Sequence, residues 1–181
     1  KLGLGWMSVR IPATEPYTLE HGGLVLKAGE GIGDIHHVPA FIGRKQAHAV
    51  ATVSTALRYT ADHDGDRAGL VAMQSDDAYL FFGVQRARGR QVLTLSARKT
   101  AQDPRQGRVL ASVPLARQDG SAARPVYLKL SIDGGVLGAA YALRKDQWNS
   151  LAAGVDATFL STKLAGGFVG TVIGLYNEQA P

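Results

Sequence analysis

The acidic residues of this chain are the first place to look for catalytic chemistry. Hydrolysis of a glycosidic bond requires two carboxyl groups facing one cleft, so that one donates a proton and the other accepts one. Of the four glutamates, Glu15, Glu20 and Glu30 fall in an irregular N-terminal third, and Glu178 lies three residues from the end. No stretch of sequence places two glutamates at strand spacing. We therefore expect no catalytic residues and no intrinsic hydrolytic activity in this chain.

A second candidate is a metal site in the segment TADHDGDR. Asp62, Asp64 and Asp66 alternate there as they do at the start of a calcium-binding EF-hand loop. The bidentate glutamate that completes such a loop is missing, and Arg67 places a cation beside the ion. The segment therefore favours a solvated acidic turn over a bound calcium ion. We predict no cofactor, with calcium as the weaker alternative.

Aromatic side chains are better candidates, because rings on an open sheet face can stack on sugars. Tyr79 and Phe82 lie on opposite faces of one predicted strand, so at least one of them faces away from the core. Trp148 carries the same ambiguity between packing and sugar stacking. Phe168 follows two glycines in the segment KLAGGFVGT, and a ring on such a corner either plugs the core or reaches into something outside it.

Composition narrows the class of protein. The chain has 181 residues, 22 glycines, no cysteine and a net charge of +5. This predicts one all-β domain spanning residues 1–181, without disulfides or thiolate metal sites. The basic residues lack interleaved aromatic rings, so we expect no nucleic acid partner, and no apolar run is long enough for a membrane span. The compartment of this soluble chain stays open. It starts at Lys1 without an initiator methionine, as a processed or excised piece of a longer polypeptide would.

Alternating apolar and polar residues predict about a dozen strands joined by glycine-rich turns. The hairpin VYLKLSI-DGG-VLGAAYAL is the best defined of them. Because no helical periodicity is convincing, the pattern predicts a two-sheet antiparallel β-sandwich of jelly-roll type. The predicted strands cover residues 6–10, 23–28, 49–59, 68–74, 79–86, 91–98, 109–115, 126–132, 136–143, 148–153 and 170–176.

Five stretches taken in order carry a resemblance to a known family: LGLGWMSVRIP, FIGRKQ, AGLVAMQSDDAYLFFGV, PVYLKLSIDGG and TFLSTKLAGGFVGTVIGLY. Together the chain resembles the C-terminal concanavalin A-like sandwich domain of glycoside hydrolase family 43 β-xylosidases and related α-L-arabinofuranosidases. One departure is the turn before Trp148, where the family often has a D-G-G-K-x-W pattern and this chain has only Lys145 and Asp146.

The resemblance implies a partner domain. In that family an N-terminal five-bladed β-propeller holds the acid, the base and a third carboxylate, and cleavage inverts configuration. The sandwich packs beside it and lends a Phe that closes the sugar pocket. By its place in the motif, that ring matches Phe168, with Phe159 as the less favoured candidate. Nothing resembling the propeller is present in this sequence, which fits the missing carboxylate pair.

The first hypothesis is therefore a non-catalytic accessory domain of an enzyme that degrades xylan or arabinoxylan. The alternative is an independent carbohydrate-binding module that stacks xylan or arabinan on Tyr79, Phe82 or Trp148. A structural or interaction domain without a sugar role is a third. The expected partners are the catalytic propeller and a pentose-containing oligosaccharide or polysaccharide, and self-association through the exposed docking face is left open.

Overall fold

The computed structural model describes residues 2–115, 124–165 and 170–180. Within them the chain forms twelve β-strands, a 3-10 helix at Thr158–Leu160 and a single α-helical turn, α1, at Thr162–Ala165. None of the described helices is long and apolar enough to cross a membrane. The strands are β1 (Tyr17–Glu20), β2 (Gly23–Leu26), β3 (Ala40–Lys45), β4 (Val50–Leu57), β5 (Arg67–Ser75), β6 (Ala78–Ala87), β7 (Arg90–Arg98), β8 (Arg108–Pro114), β9 (Val126–Asp133), β10 (Val136–Ala142), β11 (Asn149–Asp156) and β12 (Val172–Glu178).

Ten of these strands form two antiparallel sheets, and β1 and β2 form a separate hairpin. The large sheet has the order β3-β12-β5-β6-β7-β8, and the small sheet has the order β11-β10-β9-β4. The predicted β9–β10 hairpin is present, with Asp133 opposite Val136 and positive φ angles at Gly134 and Gly135. The predicted two-sheet antiparallel β-sandwich is confirmed.

The main core lies between the two sheets. Alternate residues of β9 and β10 point toward the large sheet, because successive side chains of a strand point to opposite faces. They pack against the inward face of β5, β6 and β7, and burial of these side chains drives the stacking of the sheets. The largest side chains in this core, each almost fully buried, are Leu70, Leu80, Phe82, Leu93, Leu95, Leu128 and Leu137.

The other face of the large sheet is also buried, which the strand pattern explains. β5 and β6 are buried over seven consecutive residues each rather than at alternate positions. Two irregular segments, residues 28–39 and 99–107, cover this second face. Its apolar cluster is formed by Ile32, Phe41, Val71, Met73, Tyr79, Phe81 and Tyr176.

A buried ion pair lies within this covered face. The Arg67 side chain is fully buried, and its Nε is 2.5 Å from Oε2 of Glu178. Its guanidinium carbon is 4.9 Å from the ring centroid of Phe81 and 5.5 Å from that of Tyr176. Arg67 Nη1 also donates a hydrogen bond of 3.0 Å to the carbonyl of Gln106, in the covering segment. The pair therefore connects β5, the end of β12 and the cover.

Three details of the predicted strands need correction. Residues 6–10 do not form a strand; only Met7 pairs, through two 2.9 Å backbone hydrogen bonds with Gly43. The segment Ala40–Lys45, which was not among the predicted strands, is β3; its first four residues are all buried and show no alternation. β1, the 3-10 helix and α1 were not predicted either.

Replacing the buried arginine should destabilise the chain strongly. We expect Arg67→Ala to lower the free energy of unfolding by about 3–5 kcal/mol, since Glu178 would be left as a buried carboxylate without its cation. Urea denaturation followed by tryptophan fluorescence measures this change. The control is Arg144→Ala, which removes an exposed arginine from the small sheet. The double variant Arg67→Met/Glu178→Leu should recover part of the loss, and a loss below about 1 kcal/mol in Arg67→Ala would contradict the role of the pair.

Candidate functional site

The connection between β11 and β12 begins with a capped turn. Asp156 accepts hydrogen bonds from Thr158, at 2.6 Å from the hydroxyl and 3.0 Å from the backbone amide. These bonds, the hydroxyl first, lower the pKa of Asp156 below its usual value, with a further contribution from Lys99. The 3-10 helix and α1 follow directly. The cap therefore fixes the direction in which the chain leaves the small sheet.

Phe159 in this turn is a core residue. Its side chain is buried with Leu160 between the sheets, and the Lys99 ammonium lies 5.3 Å from its ring centroid. A ring held in this way cannot reach a partner without opening the core. Phe168, the favoured candidate, lies outside the described residues.

Two hydrogen bonds hold the ends of this corner together. Thr171 Oγ1 donates to the carbonyl of Leu160 at 3.0 Å, and the amide of Gln46 donates to the carbonyl of Thr171 at 2.9 Å. Leu160 and Thr171, on either side of residues 166–169, are thereby held to each other and to Gln46, which follows β3.

An apolar surface surrounds this corner. A pocket of about 560 Å³ lies between α1 and the β9–β10 turn, lined by Gln46, Ala49, Ile132, Gly134, Gly135, Ala157, Thr158, Leu160, Ser161, Lys163, Leu164 and Thr171. Three aliphatic side chains at the same end are exposed: Val50 at 65%, Val136 at 51% and Leu164 at 65%. The pairing of Val50 and Val136 with Asp133 places both beside the β9–β10 turn. We call the pocket and these three residues the docking end.

The N-terminal segment runs along β3, one of whose ends leads toward the docking end. Met7 pairs with Gly43 in β3, and the ring of Trp6 lies 6.0 Å from the guanidinium carbon of Arg44. β3 then leads within two residues to Gln46, which lines the pocket. Before Trp6 the chain turns, with the Trp6 amide donating to the carbonyl of Gly3, and the amide of Leu2 donates to the Tyr17 hydroxyl at 3.3 Å.

The structure changes the interpretation of the predicted sugar-stacking rings. Phe82 is fully buried in the main core, and Tyr79 is fully buried under the cover of the second face, where its hydroxyl donates to the carbonyl of Arg105. Neither ring presents a face to a sugar. Trp148 is half-buried beside the small sheet, and the Lys129 ammonium lies 4.1 Å from its ring centroid. Of the three, only Trp148 retains surface that a ligand could contact.

Two of the three aspartates of the predicted acidic turn, Asp64 and Asp66, accept hydrogen bonds from backbone amides. Asp66 is buried; its Oδ2 accepts amide hydrogens from Asp62 and His63, and its Oδ1 accepts that of Ala180. Burial works to raise the pKa of Asp66, but these amide hydrogen bonds outweigh it and lower the pKa. Asp64 accepts the amide hydrogen of Gly89. Among the described residues no three His, Asp or Glu side chains are grouped as metal ligands.

The sequence contained a signal for the docking end that was missed. Val50 belongs to the outward, polar face of β4, where Thr52 and Ser54 follow it at alternate positions. A single apolar residue on a polar face is common, and it marks a contact surface only where it joins other exposed apolar residues. Val136 and Leu164 carry no such mark, because each is an isolated aliphatic residue after a turn.

Comparison with known proteins gives a consistent picture. A family model described as the beta xylosidase C-terminal concanavalin A-like domain matches residues 1–180. A curated relative from Bacteroides ovatus, the non-reducing end alpha-L-arabinofuranosidase BoGH43B, is 26% identical over 99% of this chain and 33% of its own length. The chain thus spans about a third of that relative.

Solved structures show the same fold. A xylan beta-1,4-xylosidase from Bacillus halodurans matches with a TM-score of 0.85 and 23% identity, over 98% of this chain and 34% of that one. A GH43_12 protein retrieved from a capybara gut metagenome matches with a TM-score of 0.80 and 25% identity, over 97% of this chain and 32% of that one.

The buried aspartate predicts a pH-dependent contribution to stability. We expect Asp66→Asn to lower the free energy of unfolding by about 1–3 kcal/mol at pH 7, because three amide donors lose a charged acceptor. Since the folded pKa is lowered, this contribution is complete above the unfolded value of about 3.9 and is lost as the pH falls through the folded value. Urea titrations at pH 7 and pH 3 measure it. Asp64→Asn is the matched control, and a difference that grows on acidification would contradict the prediction.

Proposed function

The chain belongs to the family of beta xylosidase C-terminal concanavalin A-like domains, and from this premise we propose that it docks on the catalytic domain of a family 43 glycoside hydrolase. The observation that carries the proposal is the docking end. Exposed aliphatic side chains surround a pocket beside the corner that Leu160 and Thr171 anchor.

The distribution of carboxylates supports a non-catalytic role. Glu178 is held by Arg67 and by the hydroxyl of Tyr176, and Oε2 of Glu30 accepts the amide hydrogen of Val38. Acid–base hydrolysis needs one carboxyl group free to donate a proton and another free to accept one. We therefore assign the chemistry to the catalytic domain.

Phe168 is proposed to complete the sugar pocket of that domain. Its position in GGFVGT matches the ring that the family lends to its partner, and its corner is anchored at Leu160 and Thr171. The burial of Phe159 in the core supports Phe168 over Phe159 for this role. A ring at the pocket excludes water and limits the length of substrate that fits. The proposed substrates are terminal pentosides of xylan or arabinoxylan, as the names of the relatives suggest.

The carbohydrate-binding module remains the alternative. Tyr79 and Phe82 are buried and could not stack on a sugar in such a module, whereas Trp148 at the small sheet is partly exposed. Stacking on Trp148 would compete with Lys129 for the ring face. Calorimetric titration with xylo-oligosaccharides separates the hypotheses, because affinity that Trp148→Ala abolishes favours the module.

The two candidate rings should respond differently to truncation. We expect Phe168→Ala to change the free energy of unfolding by no more than about 0.5 kcal/mol. The matched change Phe159→Ala should cost about 3–5 kcal/mol, because it leaves a cavity in the core. In the two-domain enzyme, Phe168→Ala should lower kcat/KM about 10- to 100-fold through a poorly closed pocket. Loss of stability by Phe168→Ala comparable to that of Phe159→Ala would show that this ring is also a core residue.

A charge at the docking end should weaken association with the catalytic domain. We expect Leu164→Asp to raise the Kd for the separately expressed catalytic domain about tenfold or more, because a carboxylate would be buried against it. The control is Leu143→Asp, which places the same charge on a residue of similar exposure, 50%, at the other end of β10. Calorimetry measures the association.

The same preparations test whether the isolated chain has hydrolytic activity of its own. The isolated chain should release no nitrophenol from nitrophenyl xyloside or arabinoside. Turnover by the pure chain, or equal Kd values for Leu164→Asp and Leu143→Asp, would overturn the proposed function.

A further inference from the structure

A second pocket lies at the opposite end of β12 from the docking end. Its volume is about 540 Å³, and it is lined by Ala28, Gly29, Glu30, Gly31, Ile32, His37, Arg105, Gln106, Glu178, Gln179 and Ala180. Val172 and Glu178 are six residues apart on one strand, so the two sites are separated by about 20 Å. The volume falls in the range of small-molecule sites.

One buried carboxylate oxygen faces this pocket. Glu178 is 7% exposed, and its Oε2 is occupied by Arg67 and by the hydroxyl of Tyr176 at 2.7 Å. Within the described part of the chain, Oε1 accepts a long hydrogen bond of 3.5 Å from Nε2 of Gln106. Buried carboxylate oxygens normally have closer partners. Oε1 of Glu178 can therefore accept a further hydrogen bond.

Glycine at position 31 keeps that oxygen accessible. A Cβ at Gly31 would lie 2.5 Å from Oε1 of Glu178, closer than real Cβ contacts come. Gly31 and Gln106 both line the pocket, so Oε1 lies on its wall. A side chain at position 31 would fill the space in front of the carboxylate.

The pocket carries charges of both signs, which decides the class of ligand. Glu178 is paired with Arg67, Arg105 lies 2.8 Å from Oδ2 of Asp34, and Oε2 of Glu30 accepts the amide hydrogen of Val38. Because cationic and anionic groups lie side by side, neither a cation nor an anion gains a net attraction across the whole pocket. Hydroxyl groups suit the site, because they can donate to Oε1 and accept from the Arg105 guanidinium and the Gln179 amide.

We propose that this pocket binds a neutral, hydroxyl-rich ligand of the size of one or two sugar rings. One hydroxyl of the ligand donates to Oε1 of Glu178, and others accept hydrogen bonds from Arg105 and Gln179 on the rim. The site is independent of the docking end, and it does not require the chain to be part of a hydrolase. It offers no open aromatic platform, because Tyr176 and Tyr79 beneath it are buried.

The test is a titration of the isotopically labelled chain by nitrogen–proton NMR with D-xylose, L-arabinose and xylobiose. At least one sugar should shift the backbone amides of Gly29, Gly31 and Gln179 saturably, with a Kd on the order of 1–10 mM. The indole N–H of Trp148 reports separately on the other candidate surface. The double variant Arg105→Ala/Gln179→Ala should raise the Kd about tenfold. It removes rim side chains of which Arg105 is 64% exposed, so the fold should be retained.

The control for the variant is Arg144→Ala, which should leave the Kd unchanged. Three outcomes would overturn the proposal. The first is the absence of saturable shifts with all three sugars up to about 100 mM. The second is an equal Kd for the double variant and the unmodified chain. The third is a set of shifts confined to Trp148 and its neighbours, which would assign sugar binding to the small sheet instead.

Discussion

The burial of Arg67 is the constraint on which the large sheet depends. A guanidinium without solvent needs a counter-ion and hydrogen-bond acceptors, and both come from outside β5. Glu178 supplies the charge from β12, and Gln106 supplies a carbonyl from the segment that covers the sheet. Arg98 repeats the arrangement two strands away, in β7, where it donates to the carbonyl of Gly33 at 2.8 Å. The two arginines thus hold both covering segments onto a face that would otherwise be open to solvent.

β12 links this buried network to the docking end. Its N-terminal side begins at Thr171, which fixes the corner through Leu160 and Gln46. Its C-terminal side ends at Glu178 beneath the second pocket. Because β12 pairs with both β3 and β5, it is rigidly held along its length. One strand therefore carries two surfaces of different character, an apolar one for a protein and a polar one for hydroxyl groups.

Strand positions could be predicted where one face of the sheet is exposed to solvent. β4 and β9 alternate between buried and exposed residues, and the sequence shows this directly. β3 could not be predicted in the same way, because its first four residues are all buried, and the rings of Tyr79 and Phe82 were ambiguous for the same reason. Whether a second face is covered depends on segments distant in sequence, which local periodicity does not report. The pairing of Arg67 with Glu178, 111 residues away, is likewise invisible to it. The assignment of Phe168 rests on the family resemblance, since the sequence alone favours neither a plug nor a probe.

The distribution of covered and open surface favours docking through an end of the sandwich. A module that binds long polysaccharides needs an open sheet face or groove lined with rings. Here the outer face of the large sheet is already covered by the chain itself. The outer face of the small sheet carries small residues such as Ser54 and Ala140 together with Tyr127 and Lys129, and the Trp148 ring packs on Lys129. One end of the sandwich exposes the aliphatic side chains of Val50, Val136 and Leu164. Their contact with water is unfavourable, and association with another surface would remove it.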